Sequence, residues 1–142
     1  MTINQLSVFI ENKSGKLLKV LQLLKDADIQ IVATTIADTL DYGIWRIICN
    51  DPKKAYQVLR AEQVSVTISE AFALQLENQP GAAQQALQTL ADESIGITYL
   101  YSFLLGGKGI LLFRTDNEEK TREIIKAKNL QTIDNEGLAA LI

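Results

Sequence analysis

The sequence predicts an α+β protein built from two consecutive copies of one small unit, each an antiparallel sheet with helices on one face. Residues 11–61 align without a gap on residues 77–127 and share 13 identical pairs in 51 positions, where unrelated sequences would share about three or four. Within each copy, apolar residues change from the alternating spacing of strands to the three- and four-residue spacing of helices. We therefore expect two domains, residues 1–69 and residues 70–142.

The elements of the first copy follow from its apolar pattern. Leu6, Val8 and Ile10 alternate with polar residues, which is typical of a strand with one buried face. Leucines at helical spacing follow Gly15, and a β-branched stretch after Ile29 favours a second strand. The predicted order is strand 6–10, helix 17–27, strands 29–36 and 44–49, a helix opened by Asn50-Asp51-Pro52, and strand 64–68.

The second copy repeats this order. Its predicted elements are strand 72–76, helix 82–91, strands 95–102 and 110–114, helix 118–128 and a weaker strand at 130–133. The apolar segment 138–142 has no assignment. The order strand, helix, strand, strand, helix, strand is the ferredoxin-like plan of an antiparallel four-stranded sheet with both helices on one face.

Composition excludes several classes of function. The 142 residues carry a net charge of −3, so there is no basic surface for a nucleic-acid partner. No apolar run approaches the roughly 18 residues of a membrane span, and the N-terminal stretch lacks the features of a secretion signal. A single cysteine favours a reducing cytoplasm. The absence of histidine removes the usual general base and the commonest metal ligand, so we expect no cofactor and no catalysis.

The turn between the first strand and the first helix is the most informative segment. FIENKSGKL at 9–17 and LENQPGAA at 76–83 place Glu, Asn and Gly in the same order at a helix start. Free N–H groups and the helix dipole favour a carboxylate there, glycine permits close approach, and Asn offers both a donor and an acceptor. The residues alone leave a second interpretation open, in which Asn caps the helix and Gly permits the turn.

These turns resemble the opening of ACT domains, in which a strand ends in a turn of the type Asp/Asn-x-Pro-Gly-x-Leu. The matching stretches are Glu-Asn-Lys-Ser-Gly-Lys-Leu at 11–17 and Glu-Asn-Gln-Pro-Gly-Ala-Ala at 77–83. Each helix then leads to residues similar to Gly-x-Asn-Ile, at 27–31 and 93–97. The resemblance covers nearly the whole chain and implies two tandem ferredoxin-like (βαββαβ) ACT domains with no catalytic domain attached.

The resemblance also implies ligand sites. ACT domains are regulatory modules that bind amino acids between paired domains, at the first turn of one and the start of the second strand of its neighbour. Ser14 stands where proline is usual, and Gly96 takes the place equivalent to Gln30 without a side chain, so we expect the two pockets to differ or only one to be occupied. The implied ligand-binding residues are Asn12, Ser14, Gly15, Lys16, Leu17 and Gln30 in the first copy, and Asn78, Pro80, Gly81, Ala82 and Ala83 in the second.

Three other features have competing interpretations. The run Gly106-Gly107-Lys108-Gly109 lacks the spacing of a phosphate-binding loop, which favours a hairpin turn. Tyr99, Tyr101 and Phe103 alternate on one strand and suit an interface or core more than a ligand pocket. Cys49 lies in an apolar strand, where a buried inert thiol is the better interpretation than a nucleophile.

The sequence thus predicts a non-catalytic regulatory protein that binds an amino acid at the interface between ACT domains. The alternative is a subunit that docks on an amino-acid biosynthetic enzyme, similar to the small regulatory chain of acetolactate synthase. Binding of a free amino acid without any other protein would distinguish the two. We also expect a homodimer, because apolar side chains on the sheet face without helices need a partner.

Overall fold

The computed structural model describes residues 1–11, 13, 15–38 and 42–142. These residues form strands and helices in the predicted order, with one additional helix at the end. The elements are β1 Thr2–Glu11, α1 Lys16–Asp26, β2 Ile31–Asp38, β3 Tyr42–Cys49, α2 Pro52–Ala61, β4 Val66–Leu76, α3 Ala82–Asp92, β5 Ile97–Leu105, β6 Lys108–Thr115, α4 Glu118–Ala127 and α5 Asn135–Leu141. The α+β class with antiparallel strands is confirmed.

The chain divides into two compact units. The first unit comprises Asn4–Glu70, and the second comprises Met1–Ile3 together with Ala71–Ile142. The strand β4 contributes its first residues to the first unit and its remaining residues to the second.

In the first unit, β3 lies between β1 and β2, and both pairings are antiparallel. The N–H of Phe9 donates to the carbonyl of Ser65 at 2.9 Å, which brings the chain before β4 alongside β1. Even-numbered side chains of β1 and odd-numbered side chains of β3 share the face that α1 and α2 cover, as the two-residue period of a strand requires. The buried core on this face is Leu6, Val8, Val20, Leu24, Ile29, Trp45, Ile47, Cys49, Ala55, Leu59 and Val66.

In the second unit, β6 lies between β4 and β5, again with antiparallel pairing. The rings of Phe72 and Phe113 stack with centroids 5.6 Å apart. The carbonyl of Met1 accepts a hydrogen bond from the N–H of Ala73 at 3.1 Å. The buried core is Phe72, Leu74, Ala86, Leu90, Ile95, Leu111, Phe113, Ile124 and Ile125.

The C-terminal segment differs in part from its prediction. Instead of a full strand at 130–133, the chain makes one isolated bridge, Leu74 to Thr132, with flanking bonds from Gln75 N–H to the Gln131 carbonyl at 2.9 Å and from Ile133 N–H to the Ala73 carbonyl at 3.1 Å. The helix α5 then follows, capped by a hydrogen bond from the Gly137 N–H to the Asp134 carboxylate at 2.8 Å. Seven residues are too few to display a helical apolar period, which is why this segment has no assignment from its sequence.

The duplication is visible in individual hydrogen bonds. Bonds in the first unit recur in the second between residues displaced by 66 positions, and the distances agree closely. The matched pairs are Lys54 N–H to Asp51 Oδ1 at 3.1 Å and Lys120 N–H to Asn117 Oδ1 at 3.0 Å, and Gln22 Nε2 to Asp26 Oδ1 and Gln88 Nε2 to Asp92 Oδ1, both at 2.8 Å. Asp51 and Asn117 are therefore the caps of α2 and α4, which is a common role of Asp and Asn at helix starts.

Candidate functional site

The turn before the first helix of each unit is built around a glycine in the left-handed conformation. Gly15 has φ 92° and Gly81 has φ 86°, and each is the N-cap residue of its helix. Among the described residues, a side chain at either position would meet nothing within 4 Å apart from its neighbours in the chain, so the backbone conformation favours glycine at both positions.

Backbone bonds fold both turns in the same way. The N–H of Lys13 donates to the Glu11 carbonyl at 2.7 Å, and the N–H of Gln79 donates to the Glu77 carbonyl at 2.9 Å. Asn78 is exposed and does not cap α3, because Gly81 occupies the cap position. Capping is therefore not the role of Asn78. Asn12 and Ser14, which the sequence assigns to the equivalent site, lie outside the described residues.

A cavity of about 250 Å³ adjoins the first turn. Its walls come from the end of β1, the first turn of α1 and the facing residues of β2 and β3. Ile36 pairs with Trp45 across the two strands, which places both side chains on the face that carries α1. The lining residues are Ile10, Glu11, Lys13, Leu17, Ile36, Gly43 and Trp45.

A second cavity, of about 290 Å³, adjoins the turn of the second unit. All seven positions that line the first cavity have counterparts, displaced by 66 residues, that line this one. The counterparts are Leu76, Glu77, Gln79, Ala83, Ser102, Gly109 and Leu111, and the remaining lining residues are Asn78, Ala82, Phe103, Leu104 and Ile110. The duplication has thus preserved a cavity as well as a fold.

Charges of both signs lie at each cavity. Glu11 and Lys13 form an ion pair at 3.0 Å, and the hydrogen bond and charge of Lys13, with a further contribution from Lys16, lower the pKa of Glu11 below its ordinary value. In the second unit, Glu77 pairs with Lys108 at 3.0 Å. Both ion pairs are exposed to solvent, so each contributes little to folding stability. The residues of each pair can therefore exchange this contact for one with a ligand.

The structure brings some of the sequence-predicted site residues to these cavities and not others. Leu17 lines the first cavity, and Asn78, Ala82 and Ala83 line the second. Lys16 does not line the first cavity but a neighbouring one of about 260 Å³, which shares Ile10 and Glu11 with it and is also lined by Lys19 and Glu62. Gly15, Pro80 and Gly81 lie in the exposed turns themselves.

Gln30 lies far from the first turn of its own unit. Its N–H donates to Asn50 Oδ1 at 2.9 Å, and its carbonyl accepts from the Asn50 N–H at 3.1 Å, at the end of β3 beside Cys49. The turn lies beside the other end of β3, because Glu11 pairs with Tyr42. Seven residues of strand separate these ends, which is about 24 Å at 3.4 Å per residue. Within one unit, therefore, Gln30 and the turn do not form one site.

Sequence reasoning missed three kinds of lining residue. Glu11 and Glu77 were visible as one of the identical pairs of the duplication, but no chemical role was assigned to them. Ile36 and Trp45 come from strands distant in sequence, and only the strand register brings them beside Leu17. Gly43 leaves space for Ile36, because a side chain there would lie 3.3 Å from Ile36 Cγ2.

The other predicted features have clear outcomes. Gly106 and Gly107 form the turn between β5 and β6 with positive φ angles, which confirms the hairpin interpretation. Phe103 lines the second cavity. Cys49 is buried, and burial raises its pKa to about 11, so the thiol stays protonated and inert at neutral pH.

The described residues form neither a metal centre nor a helix that could span a membrane. Among the described residues, no group of three or more acidic, cysteine or histidine side chains is arranged to hold a metal ion. Of the helices in the described ranges, none combines the length and the apolar character needed to cross a membrane.

Comparisons with known proteins agree with this architecture. A solved protein from Bacteroides thetaiotaomicron is 35% identical over 99% of this chain and 98% of its own, with a TM-score of 0.90. The regulatory subunit of aspartate kinase from Thermus thermophilus is 13% identical over 89% of this chain and 90% of its own, with a TM-score of 0.60, which shows similarity of fold alone. No protein of curated function matches. The family model described as an ACT domain pair matches residues 1–142, and the chain therefore belongs to the ACT domain pair family.

Proposed function

We propose that this protein is a non-catalytic regulatory protein that binds free amino acids at the turn of each ACT domain. The observation that carries the proposal is the recurrence of one cavity at seven equivalent positions in both units, each beside a helix start and a glutamate. A cavity of 250 to 290 Å³ lies just below the usual range for drug-sized ligands, about 300–1,000 Å³. That volume suits one amino acid.

The charges at each cavity complement a zwitterion. The Glu11 carboxylate can accept hydrogen bonds from a ligand ammonium, and the Lys13 ammonium can donate to a ligand carboxylate, together with N–H groups of the first turn of α1. In the second unit, Glu77 takes the first role, and Asn78 and Lys108 supply donors. The ligand would replace the intramolecular ion pair with two ion pairs of its own.

The proposal includes a homodimer in which a neighbouring copy completes each site. Gln30 belongs to the site that the ACT resemblance implies, yet it lies about 24 Å from the turn of its own unit by the strand spacing. A second copy would supply this residue. Sedimentation of the full chain at micromolar concentration tests the dimer, and a monomer mass with and without amino acids would count against it.

A second candidate function is docking on an amino-acid biosynthetic enzyme. The observation that favours it is the apolar surface of α1, on which Leu18 is 68% exposed and Leu21 is 38% exposed. Exposed leucines adjacent on one helix are typical of an interaction surface. A docking subunit of this kind would bind its enzyme without binding a free amino acid.

Calorimetric titration of the full chain with the twenty L-amino acids tests the main proposal. We expect at least one to bind, and we expect its analogues without the ammonium or without the carboxylate to bind at least tenfold more weakly. The reason is that a hydrogen bond to a charged group is worth about 1.5–3 kcal/mol, or roughly ten- to hundred-fold in affinity. No binding by any amino acid, or equal binding by the analogues, would overturn the proposal.

A further inference from the structure

The two cavities share their positions but not their chemistry. Leu17, Ile36 and Trp45 in the first cavity correspond to Ala83, Ser102 and Leu111 in the second. Three of the seven equivalent positions therefore carry larger or more apolar side chains in the first unit. The glutamate and the glycine of each cavity are identical in the two units, whereas Lys13 of the first cavity corresponds to Gln79 of the second.

The apolar wall of the first cavity is accessible. Ile36 is 50% exposed and Leu17 is 38% exposed, although both line a cavity whose deepest wall is Trp45, which is 4% exposed. The indole N–H of Trp45 donates to Thr34 Oγ1, so the ring offers no free donor to a ligand. A ligand that covers Leu17 and Ile36 would remove apolar surface from water, which is favourable in proportion to the area covered.

The wall of the second cavity has a different character. Ser102 replaces the isoleucine, Gln79 replaces a lysine, and Ala83 replaces a leucine. Gln79 places an amide group, which can donate to and accept from a polar ligand side chain, where the first cavity has the Lys13 ammonium. An apolar ligand side chain that covered this amide would leave it without a partner, which disfavours its binding. Phe103, Leu104 and Ile110 add apolar side chains elsewhere in the second cavity.

We propose that the first cavity selects amino acids with a large aliphatic or aromatic side chain, and that it does so more strongly than the second cavity. The inference rests on the proposed function, because it names the ligand class of the same site. Glu11 and Lys13 hold the two charged groups that all amino acids share, and the Leu17, Ile36 and Trp45 wall distinguishes among them. The first domain of the protein thereby binds a hydrophobic amino acid selectively.

Leu17 and Leu18 provide a matched pair of variants. Both are leucines in the first turns of α1, but only Leu17 lines the cavity, whereas Leu18 is 68% exposed. The test is calorimetric titration of the full chain, Leu17→Ala and Leu18→Ala with L-leucine, L-phenylalanine and L-serine. We expect the natural protein to bind L-leucine or L-phenylalanine at least tenfold more tightly than L-serine. Leu17→Ala should lose that preference, while Leu18→Ala retains the affinity within about twofold.

A second variant keeps the test decisive if Leu17→Ala fails to fold. Ile36→Ser gives the first cavity the residue of the second, at a half-exposed position, and should weaken L-leucine binding at least tenfold. Equal affinity for L-leucine and L-serine, or unchanged L-leucine binding in a folded cavity variant, would overturn this inference and leave amino-acid binding intact. If none of the twenty amino acids binds, both the inference and the proposed function are wrong.

Discussion

Asn78 lines the second cavity, and its side chain makes no hydrogen bond to another described residue. A helix cap would lose about 1 kcal/mol of folding stability on substitution by alanine, whereas an exposed side chain without such bonds changes stability by less than about 0.5 kcal/mol. We predict that Asn78→Ala melts like the natural protein but binds the second cavity's ligand ten- to hundred-fold more weakly. Melting curves with parallel titrations check this, and a lower melting temperature with full affinity would restore the capping role.

The fold changes the ionisation of the Cys49 thiol. Burial raises its pKa from 9.0 to about 11, so at pH 8 its thiolate fraction is about a hundredfold lower than in the unfolded chain. We predict that a thiol reagent labels the native protein at least a hundredfold more slowly than the denatured protein. Labelling at equal rates would contradict the burial of Cys49.

The same pKa shift determines whether the free energy of unfolding rises or falls with pH. Between pH 9 and 11 the unfolded chain loses the Cys49 proton while the folded chain keeps it, so the free energy of unfolding falls as the pH rises. Below pH 9 the thiol is protonated in both states and contributes no slope. Cys49→Ala should therefore show a shallower loss of stability above pH 9 than the natural protein in denaturant titrations at several pH values.

At the scale of elements, α5 gives a direct test of packing. Leu138 is buried at 4% exposure, whereas its neighbour Ala139 is exposed. Truncating a buried leucine costs about 2–5 kcal/mol, so we predict that Leu138→Ala lowers the free energy of unfolding by that amount. Ala139→Ser is the control and should change it by less than about 0.5 kcal/mol. Urea unfolding measures both, and equal stabilities would mean that α5 does not pack on its unit.

The elements also show which structure is visible in a sequence. The leucines of α1 and the alternation of Leu6, Val8 and Ile10 fixed their elements, because one buried face imposes one period. The start of β1 was hidden because polar Thr2 and Asn4 stand at positions where the alternation predicts apolar residues. Gln5 is nevertheless buried, with a hydrogen bond from its Nε2 to Ser69 Oγ at 3.4 Å. Such a partner, 64 residues away, leaves no local signal.

The candidate site also has a part that could be predicted from the sequence and a part that could not. The turns were predictable because the glutamate and the glycine of each turn lie within five residues of one another in the sequence, and because both copies contain this pair. The cavity walls were not, because Ile36 and Trp45 reach Leu17 only through the register of β2 on β3. Chain topology also separates Gln30 from the turn of its own unit, which agrees with the family pattern, in which the turn of one domain meets the second strand of a neighbouring domain.

For the whole molecule, the duplication links fold and function. A displacement of 66 residues relates helix caps, turn glycines and seven cavity positions. The preserved positions include the glutamate and the glycine of each cavity, and the altered ones include Leu17, Ile36 and Trp45. Under the proposed function, the shared glutamate would hold the ammonium that all amino acids have, while the altered walls would discriminate among their side chains.

The most direct test is an ¹H–¹⁵N NMR titration of the full 15.7 kDa chain with the amino acid that calorimetry selects. We predict that binding shifts the amide signals of Glu11, Lys13 and Leu17, or those of their counterparts Glu77, Gln79 and Ala83, more than any other signals in the same unit. The reason is that the ligand's charged groups replace the existing ion pairs beside these amides. Unchanged signals at both turns in the presence of saturating amino acid would contradict the central claim that the repeated turns are the binding sites.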